Sequence, residues 1–591
     1  MGRLMRRSAD LTAWLSVAVL TILAVPLSTA RPGPGAAPVQ APTAPDVVLV
    51  TLDTVRADRV GFLGSPRGLT PTLDALAREC VVFERAFAQA PMTTVSHATI
   101  LSGTQPPFHG VRDFGLAVPA PVPWLPALLE ASGYQTAAFV GSMVLDPKGP
   151  IAPGFDRGFG VYDAGFRNRT NGADPYATKE RRGDEVVRRA LAWLDRRPAG
   201  AVFLWLHLYD AHDPYDPPEP FRSRYARAPY DGEVAAVDAA VGRLLAGLRQ
   251  KKLYENTVLA VAADHGESLG EHGEDTHGVF LYDATIHVPA LLRLPGAAQG
   301  GRRVQARVSL VDLAPTLLEA VGLAVPAGMQ GRSLLALARG ARESERRSYA
   351  ESEYPQRVFG WSGLAAWRAE RFLFVDAPRR ELYDTHADPG AIRNLAGERG
   401  AIVAGMASEL ERARRAWSGA APAFAAPGPD PELVERLSSL GYASGATGVT
   451  GTTSPAPSGV DPKDKIGVTN LLHDASLAGE EGRWDAAIPL YERVVASDPQ
   501  IFTAQLELGL ALARRQEWAR ALPHLRLVAQ RMPSFADARF TLGLVYARLG
   551  RREEALRELR AALARDPRHL AARRLLEELN ASDEPGAVPR R

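Results

Sequence analysis

The chain has 591 residues, 46% hydrophobic and 23% charged, a composition that excludes a disordered or fibrous protein. Its length leaves room for about three to five domains. The formal net charge is only +2, so nothing global indicates nucleic acid as a partner, which calls for a concentrated basic stripe. A single cysteine, Cys80, rules out an intrachain disulfide or a multi-cysteine zinc site, and its apolar setting marks it as a small buried hydrophobe.

Residues 1–30 lie outside the fold: Arg3, Arg6 and Arg7 precede an apolar run over 11–27 and the small residues Ser28-Thr29-Ala30. This is the pattern of a signal peptide or an uncleaved single-span membrane anchor, and either predicts an exported body, periplasmic or extracellular. Residues 31–45 are a loose Pro/Ala/Gly spacer.

From 46 to 420, short β-rich runs alternate with helical ones, predicting an α/β domain with a mainly parallel sheet. The runs 46–52, 135–141, 201–206 and 257–263 are almost wholly apolar, as expected of strands covered by helices on both faces. Eight of the twelve histidines fall between His97 and His287, mostly near carboxylates, which prompts a search for a metal site.

Two strands end in carboxylates, one at Asp53 and the other at Asp264-His265-Gly266-Glu267. In an open parallel sheet ligands gather beyond the carboxyl ends of the strands, so these residues can meet although far apart in sequence. Asp264 and His265 offer a hard oxygen and an imidazole nitrogen, a set suited to Zn²⁺, Mn²⁺ or a similar ion. Thr93 opens a short helix that Gly103 closes; it is a candidate nucleophile at the positive end of the helix or, alternatively, an ordinary N-cap. His97, one turn on, either contacts substrate or packs in the helix. His207 falls within a strand, and His212 lies beyond its end, on the same rim as Asp53 and Asp264. A last polar cluster is Glu271-His272-Gly273 with His277.

Residues 421–462 form a linker with a short helix, rich in Ala, Gly, Pro, Ser and Thr toward its end. Beyond it Pro499, Pro533 and Pro567 recur every 34 residues, as do Ala487, Ala521 and Ala555 and the pair Gly509 and Gly543. This all-α array over 463–580 resembles the tetratricopeptide repeat, about three units, which implies a protein or peptide partner; packing on the catalytic body or dimerisation is the alternative. Residues 581–591 are a tail.

The blocks Leu49-Val50-Thr51-Leu52-Asp53-Thr54, Thr70-Pro71-Thr72-Leu73-Asp74, Thr93 to Gly103, Asp210-Ala211-His212-Asp213-Pro214 and Asp264-His265-Gly266-Glu267 resemble, in order, motifs of the sulfatase branch of the alkaline phosphatase superfamily. So do Val311-Asp312-Leu313-Ala314-Pro315-Thr316, Gln330-Gly331-Arg332-Ser333 and Glu381-Leu382-Tyr383-Asp384. The resemblance implies an alkaline-phosphatase-like α/β domain with a small C-terminal α+β subdomain. It also implies a divalent metal (Zn, Mn, Ca or Mg) held by Asp53, Asp264 and His265, with Thr93 completing the shell. His212 would contact the transferred group or protonate the leaving oxygen.

The departures from that family carry as much information. A sulfatase makes formylglycine from Cys or Ser in a Cys-x-Pro-Ser-Arg setting, whereas this chain has Thr93-Thr94-Val95-Ser96-His97, so no formylglycine is expected. The second Asp of the family's pair is Thr54, and its lysine position falls at His277. Asp210, His212 and His277 resemble the second metal site of the phosphodiesterase branch. Two metals are therefore one alternative, with His212 as general acid and His277 as a phosphate contact the other. A threonine ester cannot collapse to an aldehyde, which favours phosphate mono- or diester cleavage or transfer. A sulfuric ester hydrolase and an inactive binding module with a working repeat are the other two readings.

Overall fold

The computed structural model describes residues 44–165, 180–196, 199–422, 459–533 and 535–581. The expected leader and spacer and the expected linker helix fall outside these residues. Among the described residues no helix is long and apolar enough to cross a membrane.

Eight strands form the main sheet: β1 (Asp46–Leu52), β2 (Val81–Phe87), β3 (Gln135–Val140), β4 (Val161–Asp163), β5 (Val202–Leu208), β6 (Thr257–Ala263), β7 (His287–Arg293) and β8 (Arg303–Ser309). Their order is β4-β3-β5-β1-β6-β7-β2-β8. All pairings are parallel except those that β7 makes with β6 and β2. The mainly parallel sheet read from the apolar runs is thus present. β1 is central, with Val47, Val48, Leu49 and Val50 all essentially inaccessible to water, because helices cover both faces. β5 runs past the apolar run to Leu208: His207 interrupts the hydrophobic pattern but turns its ring inward.

A smaller antiparallel sheet follows, in the order β12-β11-β10-β9, built from β9 (Ser348–Ser352), β10 (Leu364–Ala369), β11 (Phe372–Asp376) and β12 (Glu381–Asp384). The helix Gly400–Ala420 packs Met406 and Leu410 against Trp367, Phe374 and Leu382 of this sheet. This is the expected α+β subdomain.

Among the described residues beyond 465, seven helices follow: Ile466–Glu480, Trp484–Ser497, Phe502–Arg514, Trp518–Arg531, Ala536–Arg548, Arg552–Arg565 and Leu570–Ala581. The second, fourth and sixth each end two residues before one of the prolines spaced by 34, where the missing N–H favours a stop. The repeated glycines mark close helix contacts: a Cβ at Gly509 would lie 2.8 Å from Leu525, and one at Gly543 would lie 3.0 Å from Leu559. Cys80 is buried, and burial pushes its thiol up to about 12, as befits a packing residue.

Candidate metal centre and nucleophile

Asp53 leaves the carboxyl end of β1 and Asp264 that of the adjacent β6, so the sheet itself delivers two carboxylates side by side. The backbone N–H groups of both extend the ladder, Asp53 to Leu208 O at 2.8 Å and Asp264 to Leu52 O at 3.2 Å. The chain then turns sharply at Thr54, whose φ of 55° is strained for a β-branched residue and costs about 1–3 kcal/mol. The Thr54 hydroxyl donates to Asp53 O (2.8 Å), and Tyr230 donates its own to Thr54 O (2.8 Å), which together hold the turn.

Thr93 is the first residue of the helix Thr93–Ser102, which Gly103 closes in the left-handed conformation with its N–H on Thr99 O. The N-cap position belongs to Met92, and the Thr93 hydroxyl caps nothing. Instead it donates to Asp53 Oδ2 at 3.3 Å and stands 3.3 Å from His265 Nε2. The capping alternative is therefore excluded. The helix is tied down by its neighbours: Ser96 donates to Asp264 O (2.6 Å) and Thr94 to Val144 O (2.9 Å).

Asp53, Asp264 and His265 are fully buried, and one ligand atom from each lies within 4.8 Å of the others. Asp53 Oδ1 and Asp264 Oδ2 have no hydrogen-bond donor, an arrangement that a bound cation would satisfy. Burial holds both carboxyls above their ordinary range, and for Asp264 the charge of Asp53 adds to this. Two hard oxygens and one imidazole nitrogen fit a divalent cation. His265 Nδ1 faces Gly266 O at 2.9 Å, which leaves Nε2 aimed at the carboxylates.

The other predicted residues divide. His212 and His277 both face this centre: their rings are 4.9 Å apart, and His277 lies 4.7 Å from the ring of His265. Nδ1 of His212 donates to Asp213 O at 2.5 Å, which fixes the tautomer of the ring. Burial lowers the pKa of both rings, and for His277 the neighbouring His265 and His212 lower it further. Asp210 does not join them. Its Oδ2 accepts Gly183 N at 2.7 Å, at the start of the helix Gly183–Leu194, and among the described residues the only three-ligand cluster is the Asp53 set. The Asp210, His212 and His277 set is thus corrected: Asp210 leaves the loop on the side of that helix. His97 is sealed off from solvent, with Nδ1 on Thr93 O (2.7 Å) and Nε2 on Thr51 Oγ1 (2.9 Å), and burial brings it down to about 3; it packs rather than meeting substrate.

Two further residues belong to the centre. His207 Nε2 lies 3.1 Å from Asp53 Oδ2, and the only sequence signal for it is a histidine breaking an apolar central strand. Glu267, fully buried, accepts from His277 Nδ1 at 2.8 Å and follows Asp264 by three residues.

Comparison with known proteins agrees with this architecture. The family model Sulfatase matches residues 45–323, that for the C-terminal part of N-sulphoglucosamine sulphohydrolase matches 270–416, and tetratricopeptide-repeat models match 475–536 and 512–579. Among curated relatives, an ulvan-active sulfatase of Formosa agariphila is 27% identical over 401 residues, covering 60% of this chain and 78% of its own. A delta 4,5-hexuronate-2-O-sulfatase of Bacteroides thetaiotaomicron is 25% identical, covering 60% and 85%. A phosphonate monoester hydrolase of Agrobacterium radiobacter shares the fold with a TM-score of 0.55 at 23% identity, over 63% of this chain and 96% of that one. Residues 45–416 thus carry the Sulfatase and N-sulphoglucosamine sulphohydrolase C-terminal domains of an ester hydrolase, and tetratricopeptide repeats follow them.

Proposed function

We propose that this enzyme is an exported, metal-dependent hydrolase or transferase that cleaves a phosphate mono- or diester through Thr93. The observation that carries the reading is the Thr93 hydroxyl itself, 3.3 Å from both Asp53 Oδ2 and His265 Nε2, a side chain that cannot become formylglycine. Asp53, Asp264 and His265 would hold the cation, Zn, Mn, Ca or Mg, which when bound polarises the ester and makes a hydroxyl more acidic.

Thr93 Oγ1 forms the new bond to phosphorus as the ester oxygen departs, and its proton passes to Asp53 Oδ2, the acceptor it already faces. His212 Nε2 gives a proton to the leaving oxygen; burial lowers the pKa of this ring, which makes it a strong acid once charged, and Asp53 and Asp213 offset the lowering only in part. Water or an acceptor alcohol then attacks phosphothreonine, returning the hydroxyl. His277, steadied by Glu267, faces the transferred group. The retained centre counts against an inactive shell. The repeats fit recruitment of a protein or peptide.

A sulfuric ester hydrolase is the second reading, supported by the sulfatase names of the curated relatives. The test is turnover of aryl phosphate mono- and diesters against aryl sulfate by the purified chain and by Thr93→Ala, with each metal restored after chelation. Phosphoester turnover lost in the variant supports the proposal, and sulfate turnover alone overturns it.

A further inference from the structure

The first repeat helix, Ile466–Glu480, meets two loops of the metal centre. Ile466, Asn470 and His473 share one face of it by their spacing. Asn470 Nδ2 donates to Gly273 O at 2.8 Å, and its Oδ1 faces Asp275 N at 3.4 Å, so one amide brackets Glu274 from both sides. The buried Glu274 carboxylate accepts Val279 N at 2.8 Å and also Phe280 N, closing the turn that presents His277. Ile466 lies beside Gly273, 3.4 Å from where a Cβ would stand. On the other loop His473 Nε2 lies 2.9 Å from Asp213 Oδ2, and Asp213 is the residue whose carbonyl fixes the tautomer of His212.

We propose that Asn470 and His473 are positioning residues of the active site: the repeat domain supplies the clamp that holds the His212 and His277 loops in register with Thr93. The proposal rests on the reading of Thr93 and His212 given above and extends it to the repeats. A histidine that must meet a leaving oxygen within hydrogen-bond reach needs its loop fixed to a fraction of an ångström. Neither loop contains a strand or an α-helix, and cross-links from a packed helix supply that rigidity. Asn470 and His473 are neither metal ligands nor the nucleophile; their effect reaches the reaction through the loops, to which His473 adds the charge it sets beside His277.

The test uses the full chain, metal-loaded, and compares Asn470→Ala, His473→Ala, His473→Lys and Asp213→Asn. Amide hydrogen exchange over 209–216 is expected to rise in His473→Ala and Asp213→Asn, and over 270–280 in Asn470→Ala, with the main sheet unchanged. For whichever ester the wild type turns over, kcat should fall about tenfold with KM little changed. His473→Lys, which keeps a cation against Asp213, should recover most of the loss. His473→Ala combined with Asp213→Asn should be no worse than either alone. Asp213→Asn keeps the test open should an altered repeat fail to fold. Unchanged exchange in both loops, additive losses, or raised exchange with an unaltered kcat would each overturn the proposal. A wild type that turns over no ester would sink the reading of Thr93, while loop exchange still decides the clamp.

Discussion

His207 Nε2 stands 3.1 Å from Asp53 Oδ2, on the strand next to β1 and paired in register with Thr51. Its Nδ1 faces the Thr51 hydroxyl at 3.2 Å, and that same hydroxyl meets His97 and receives Trp205 Nε1 at 3.0 Å. One threonine thus orients two imidazoles behind the carboxylates. His207→Ala is expected to weaken metal affinity about 10- to 100-fold while the fold survives. Competition against a chelator of known affinity measures it, and unchanged affinity would show that Asp53 needs no such support.

Thr93→Ala should lower turnover by about a thousandfold or more, and Thr93→Ser, which keeps a hydroxyl, by far less. Trapping in acid with substrate labelled in its phosphoryl group should leave the label on the wild-type and serine chains and not on the alanine variant. Label retained by the alanine variant would place the nucleophile elsewhere.

If His212 protonates the leaving oxygen, its loss must matter most where that oxygen is most basic. His212→Gln is expected to cost about 10²- to 10⁴-fold on alkyl esters and much less on nitrophenyl esters. Equal losses on both would assign His212 to binding instead.

His109 gives a pH dependence away from the metal. It is fully buried, accepts Val111 N on Nδ1 at 3.1 Å and faces Thr99 Oγ1 at 3.0 Å, and burial pushes its pKa down to about 3. The neutral ring is the folded form, so its contribution is complete above the unfolded pKa near 6.5 and is lost as pH falls from there toward 3. The loss is about 1.4 kcal/mol for each pH unit in that window. His109→Gln should flatten the acid limb of a plot of Tm against pH; an unaltered limb would mean that other groups dominate.

Much of this architecture was legible because its signals are local. The unbroken apolar runs announced β1 and β6, Gly103 announced the end of the Thr93 helix, and the 34-residue period announced the repeats. Asp53, Asp264 and His265 were legible because the carboxyl ends of parallel strands converge. What stayed hidden depends on register and loop path. The partner of His207 is set by which residue of β1 it opposes. Asp210 and His212, two residues apart, part company because the loop sends one carboxylate to Gly183 N and the other ring to the centre. Neither direction is written in residue type.

The anchoring of the Thr93 helix has a consequence for position 93. Its grip on the body comes from Thr94, Ser96 and His97, which bond to Val144 O, Asp264 O and Thr51. Position 93 is thereby a socket, its backbone held by the residues that follow and its hydroxyl turned to Asp53 and His265. Any hydroxyl or thiol set at this position would meet the same carboxylate and imidazole from the same firmly held backbone.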